Sequence, residues 1–175
     1  YYSGIPSREN LFKLSGINLS VEDTIQVFSG NPPRLSHINS EWGFPVTPEK
    51  YYLERTSLQD NIVQRIWFDT RIPAIYKIQE HMLTNGILLL DIDFQDYRAE
   101  EGAYPVPADI LIDRPFDETR IKIVYKSLFV NQPVDQTLFK FEPPKNAKTH
   151  NLDDVTEEQV ENLAPYEEFR TEKAE

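Results

Sequence analysis

A short amphipathic helix followed by strand after strand is the feature that most narrows what this chain can fold into. In the stretch Gly16-Ile-Asn-Leu-Ser-Val-Glu-Asp-Thr-Ile-Gln-Val-Phe-Ser-Gly-Asn-Pro-Pro33, Ser20 can act as N-cap, with Asp23 three residues on in a capping-box position. Val21, Ile25 and Phe28 then share a face, and Gly30 with the prolines after it supplies the stop. The spacing predicts a helix over about 20–29 whose apolar face must bury itself against something. Residues 7–14 read as a weaker turn or two of helix, with Ser7 able to cap and Leu11 and Leu14 spaced i, i+3.

After Pro48 the apolar period changes from helical to two. Candidate strands run over about 50–57, 61–69, 74–83, 87–97, 107–113, 119–129 and 137–142. The connectors Leu58-Gln-Asp-Asn61, Thr84-Asn-Gly86 and Ala99-Glu-Glu-Gly102 carry the residues that tight turns need, so the series predicts an antiparallel meander. Alternation is clearest where Leu88, Leu90, Ile92 and Phe94 share one face and Asp91, Asp93 and Gln95 the other, and again where Ile121, Ile123 and Tyr125 oppose Lys122. Most of the thirteen prolines fall at strand ends, as expected of a residue that cannot donate to a ladder. Trp42-Gly-Phe-Pro45 is expected in a loop after the helix, as a rim anchor or a contact with a membrane or partner. The predicted class is α+β, mainly β, with a small helix set as a lid against a large antiparallel sheet.

At 175 residues the chain can bury roughly 70% of the surface its unfolded form exposes, enough to need no staple. It has no cysteine, so it carries no disulfide framework, no thiol nucleophile and no Cys-based zinc site. A formal net charge of −11 argues against nucleic acid, which is held by neutralising phosphates. The charge is uneven: residues 153–175 hold nine acidic side chains against Arg170 and Lys173. No run of apolar residues is long enough to span a bilayer as a helix. The chain opens at Tyr1 without a methionine, so any signal peptide or lipid-attachment segment would lie upstream.

Chemistry-bearing patterns are sparse. Asp91, Asp93 and Asp96 fail the calcium-loop template, which needs a glycine at the sixth position and a glutamate at the twelfth, where Gly102 stands. Asp91 and Asp93 could pair as glycosidase carboxylates, but carboxylates alternating on a wet strand are commonplace. His37, His81 and His150 lack metal-ligand spacing, and no nucleophile elbow or phosphate-cradling loop is present. No catalytic residue, metal or cofactor is therefore predicted. The strand aromatics, Tyr51, Tyr52, Trp67, Phe68, Tyr76, Phe94, Tyr97, Tyr125, Phe129, Phe139 and Phe141, serve either as core or as the lining of a groove.

Gly16-Ile-Asn-Leu-Ser20, a helix, then Gly30-Asn-Pro-Pro33 resembles the Gly-x-x-Leu-Pro, helix, Gly-x-Pro segment of LolB-type outer-membrane lipoprotein receptors, with Ser20 where proline is usual. Trp67-Phe68-Asp69, Pro73, Asp96-Tyr97, Gly102-Ala-Tyr-Pro105 and Ile110-Leu-Ile112 resemble the second half of LolA/LolB-like lipoprotein-handling domains. Phe139-Lys-Phe-Glu-Pro-Pro144 resembles their closing strand. The resemblance extends over about residues 1–145 and is nearest to LolB-like lipoproteins of Gram-negative bacteria. It implies a strongly curved antiparallel half-barrel over residues 1–150, with the first part of the fold upstream, short helices in the concave side, and an acidic tail over 151–175.

By that resemblance the chain is a non-enzymatic envelope protein, periplasmic and lipid-anchored to the outer membrane, that binds or carries lipid or the acyl chains of lipoproteins. An oily groove can shield alkyl chain at about 0.8 kcal/mol per CH₂, so a dozen carbons gain roughly 10 kcal/mol over water, much as in a bilayer. The expected groove residues are Leu53, Ile66, Phe68, Ile78, Leu90, Ile92, Phe94, Ile110, Ile112, Ile121, Ile123, Tyr125, Phe139 and Phe141, with Val21, Ile25 and Phe28 forming the lid. The competing expectation is a structural or assembly lipoprotein whose sheet is filled by its own side chains and which docks an envelope protein partner. A hydrolase using Asp91 stands behind both.

Overall fold

The computed structural model describes residues 1–99, 104–129, 132–140 and 142–154. Its elements, in chain order, are β1 (Tyr2–Ser3), α1 (Arg8–Ser15), α2 (Val21–Phe28), β2 (Ser40–Thr47), β3 (Lys50–Ser57), β4 (Ile62–Asp69), β5 (Ala74–Met82), β6 (Leu88–Arg98), β7 (Val106–Arg114), β8 (Thr119–Val124) and β9 (His150–Asn151). Contacts divide the chain into two compact units, Tyr1–Val21 with Val134–Glu175, and Glu22–Pro133.

The larger unit is a seven-stranded sheet in the order β2-β3-β4-β5-β6-β7-β8, every neighbouring pair antiparallel. This is the predicted meander, α+β and mainly β. Its hairpins close as their residues dictate. Asn61 takes a left-handed conformation at φ 57° and Gly86 at 73°, the first tolerated by asparagine and the second natural to glycine.

Three sequence expectations are corrected. The stretch Trp42–Pro45 is strand β2, not loop; proline argues against a central strand, but β2 lies at the border of the sheet, where a missing donor is tolerated. The run 137–142 is not a strand where it is described. Gln136–Phe139 forms a 3₁₀ turn, because the Asp135 carboxylate accepts the Thr137 amide at 2.9 Å and this local bond displaces the ladder. The strand expected to reach 129 stops at Val124. Tyr125 N still donates to Ala108 O, and the Tyr125 carbonyl accepts from Arg98 Nη1 at 3.3 Å, a side-chain bond at the point where the ladder ends.

The smaller unit contains a pairing that no local pattern announces. β1 and β9 run parallel, Tyr2 opposite His150 and Ser3 opposite Asn151. Helix α1 is capped by Ser7, whose hydroxyl accepts the Asn10 amide, and it ends at Gly16 in the left-handed region. Lys13 is buried; its ammonium donates to Leu152 O at 3.0 Å and pairs with Glu9 at 2.9 Å. Asn10 donates to Asp153 at 2.6 Å and to Ile5 O at 3.0 Å. An 8-residue helix is too short to persist alone, and these bonds fix it to the paired ends.

Candidate functional site

Directly paired residues of an antiparallel sheet share a face, so the register defines what each face presents. One row runs Leu53, Ile66, Ile78, Ile92, Ile112, Ile121 across β3 to β8. Phe94, Ile110 and Ile123 form a second. On the same face, Gln64, Glu80 and Leu90 form a third. The opposite face carries Phe44, Tyr52, Trp67, Lys77, Asp93, Leu111 and Lys122 in one row, and Trp42, Glu54, Arg65, Gln79, Asp91, Asp113 and Arg120 in another.

The predicted groove residues of the central strands therefore do share the apolar face. Ile66, Ile78, Leu90, Ile92, Phe94, Ile110 and Ile112 are buried, while Leu53, Phe68, Ile121, Ile123 and Tyr125 are half-buried. Phe139 is 72% exposed and belongs to the smaller unit, because the strand expected to carry it is a 3₁₀ turn. Phe141 lies outside the described residues.

Helix α2 and its exit rest on this apolar face. Tyr125 Oη donates to Phe28 O at 3.3 Å, and burial raises the pKa of that phenol. Gln64 Nε2 donates to Pro33 O at 2.8 Å. A Cβ placed on Gly30, at φ 81°, would lie 2.8 Å from Pro107 Cδ and 3.6 Å from Tyr97 Oη, so the chain leaves the helix in close touch with β7. The helix is turned relative to the sequence expectation. Val27 is fully buried and Thr24 nearly so, whereas Ile25 is 57% exposed; Val21 and Phe28 are half-buried. One residue is 100° of helix, and the buried side is the one that carries Thr24 and Val27.

Below the C-terminal end of α2 lies a cavity of about 390 Å³ lined by Ser29–Asn31, Pro73–Ile75, Tyr97 and Tyr104–Val106, a size usual for small-molecule sites. Tyr97 Oη donates to Ile75 O across its wall, and burial pushes the Tyr97 phenol well above its ordinary pKa.

The other face is polar over β5–β8 and aromatic over β2–β4. Lys77 Nζ lies 2.7 Å from Asp91 and 3.1 Å from Asp93, Gln79 donates to Asp91 at 2.9 Å, and Lys122 pairs with Asp109 at 3.1 Å. Asp91 and Asp93 thus face a shared cation, which offsets part of their charge as in a structural ladder. Asp96 pairs with Arg98. Tyr52 stacks edge-on against Trp67 at 5.1 Å and tilts against Phe44 at 5.1 Å. Its hydroxyl donates to Glu54 at 2.6 Å, and burial together with that carboxylate pushes its pKa up to about 12. Trp42 and Phe44 remain half open to solvent.

Sequence reasoning missed Gln64 and Glu80. Both stand in phase with apolar strand residues, Gln64 two before Ile66 and Glu80 two after Ile78, so a polar residue at a core position was the available signal.

No family model matches the chain, and no curated protein matches it. Among solved structures it is similar to a Vibrio parahaemolyticus domain whose description assigns it to outer membrane lipoprotein sorting. The TM-score is 0.46 at 13% identity, over 57% of this chain and 45% of that one. The chain spans less than half the length of that domain.

Proposed function

We propose that this chain is a non-enzymatic binder or carrier of lipid or lipoprotein acyl chains in the Gram-negative envelope, and that its sheet is bent into a half-barrel with α2 as a movable flap. The observation that carries this reading is the apolar row crossing six strands from Leu53 to Ile121, on whose face α2 and its exit rest with a cavity at the helix end. An alkyl chain entering there displaces α2 and exchanges helix contacts for its own, so net affinity is the difference between two burial terms. No helix among the described residues is long and apolar enough to cross a membrane; in this reading, residence at the outer membrane comes from a lipid anchor upstream of Tyr1, and the partners are acyl chains and the membrane surface.

A second reading, the self-filled structural module that docks an envelope protein, is favoured by one specific fact: Ile78, Leu90, Ile92 and Ile110 have no solvent exposure at all. Titration of the full chain with a dansyl-labelled fatty acid separates the two. Saturable binding that falls at least tenfold in Ile123→Asp, a half-buried position next to the sheet border, supports the carrier. A folded protein with no saturable binding supports the module.

A further inference from the structure

The segment that leaves α2 is held down by a small polar cluster in the apolar face. Gln64 Nε2 donates both to Pro33 O at 2.8 Å and to Glu80 Oε1 at 2.9 Å, which uses both amide hydrogens. Pro33 O can only accept, so the amide nitrogen must point that way and the orientation of Gln64 is fixed. Gln64 is fully buried and Glu80 is 7% exposed. The other end of the amide, Gln64 Oε1, is buried with no hydrogen-bond partner among the described residues.

A carboxamide beside a carboxylic acid can close a two-bond ring, amide N–H to acid carbonyl and acid O–H to amide carbonyl. Here the first bond is present and the second acceptor is waiting. An ionised Glu80 offers only acceptors and leaves Gln64 Oε1 orphaned, a costly state in a buried site; a neutral Glu80 has the missing donor. We propose that Glu80 carries its proton in this closed state, and that the Glu80–Gln64 pair is a proton-controlled latch holding the Pro33 segment, and α2 with it, onto the sheet.

The surroundings agree. Burial is the largest influence and raises the Glu80 pKa above its ordinary 4.5; the Gln64 hydrogen bond opposes it, as does Arg114 from β7, while Asp23 of α2 and Asp60 of the β3–β4 turn raise it further. A raised folded-state value means that the latch contributes fully below 4.5 and is lost as pH climbs through the folded value. The neighbouring clamp has the opposite sign. Asp60 accepts from the Ser36 amide at 2.8 Å and from the Ser36 and Ser57 hydroxyls, which holds its pKa below 3.8. That contribution fades only as pH falls, so the two windows do not overlap. Resting on the carrier reading, the latch makes access beneath α2 easier as pH rises.

The test uses the full chain without any acyl probe, so its failure leaves the carrier reading standing and the failure of acyl binding leaves the latch standing. Carbon-13 NMR of the glutamate carboxyls should show Glu80 titrating above 4.5. Amide exchange at Gly30, Asn31 and Arg34, corrected for intrinsic rates, should lose at least tenfold protection as pH rises through that titration. In Glu80→Gln, whose amide can make both bonds of the ring at every pH, protection should stay flat. Titration of Glu80 at or below its ordinary value overturns the proposal, as does the same protection profile in both proteins. Should Glu80→Gln fail to fold, the wild-type carboxyl titration decides.

Discussion

Gly30 answers two demands at one position: a φ of 81° and a Cβ site 2.8 Å from Pro107 Cδ. Gly86 has nearly the same backbone at 73° but nothing within 4 Å of its Cβ site. The pair separates backbone strain from crowding. Gly86→Ala is expected to cost about 1 kcal/mol, the left-handed penalty alone. Gly30→Ala should cost about 2–4 kcal/mol, because the proline ring must move as well. Urea unfolding of both variants checks this, and equal losses would show that Pro107 yields freely. At this scale the sequence was informative about turns: Gly30, Asn61 and Gly86 are where a stop or a tight connection was read. It marked Gln64 and Glu80 only as polar residues in phase with apolar ones, and what they do depends on what lies against them and not on their own strands.

Among the elements, α2 shows how far periodicity carries. Its bounds were legible to within a residue from Ser20 and the Gly-Asn-Pro-Pro stop. Its buried side was not, because Val21, Ile25 and Phe28 compete with Thr24 and Val27 for the core, and tertiary packing decides between two stripes 100° apart. Val27→Ala should therefore cost about 1–3 kcal/mol, while Ile25→Glu should change stability by under about 0.5 kcal/mol. Thermal unfolding of the two variants reads the difference, and the reverse order would restore the sequence-based face. Strands β3–β8 were legible because alternation persists over each one, whereas Gly43 and Pro45 made β2 read as a loop. The pairing of β1 with β9 was not, since two-residue strands have no period and their partner is more than a hundred residues away.

For the molecule as a whole, the carrier reading and the burial of its apolar face together dictate kinetics. If the face is covered in the resting state, α2 must lift before an acyl chain can enter, and opening becomes the slow step at high probe concentration. Stopped-flow mixing with the dansyl fatty acid should give an observed rate that levels off. A rate that keeps rising linearly would mean that the cavity already provides an open path. The candidate site was legible to the extent that residues of like phase on neighbouring strands must share a face, which located eleven of the fourteen expected groove residues along β3–β8. What lies on top of them is a tertiary fact and left no mark in the strand pattern.

The outermost strand β2 shows Trp42, Phe44 and Val46 to solvent, a sticky selvage that ought to invite molecules to stitch together into fibres. Pro45 sits in the middle of it and the register slips immediately afterwards, so an incoming strand meets a torn hem instead of a continuous seam. The border can thus display oily rings without offering an unbroken ladder for another strand to extend.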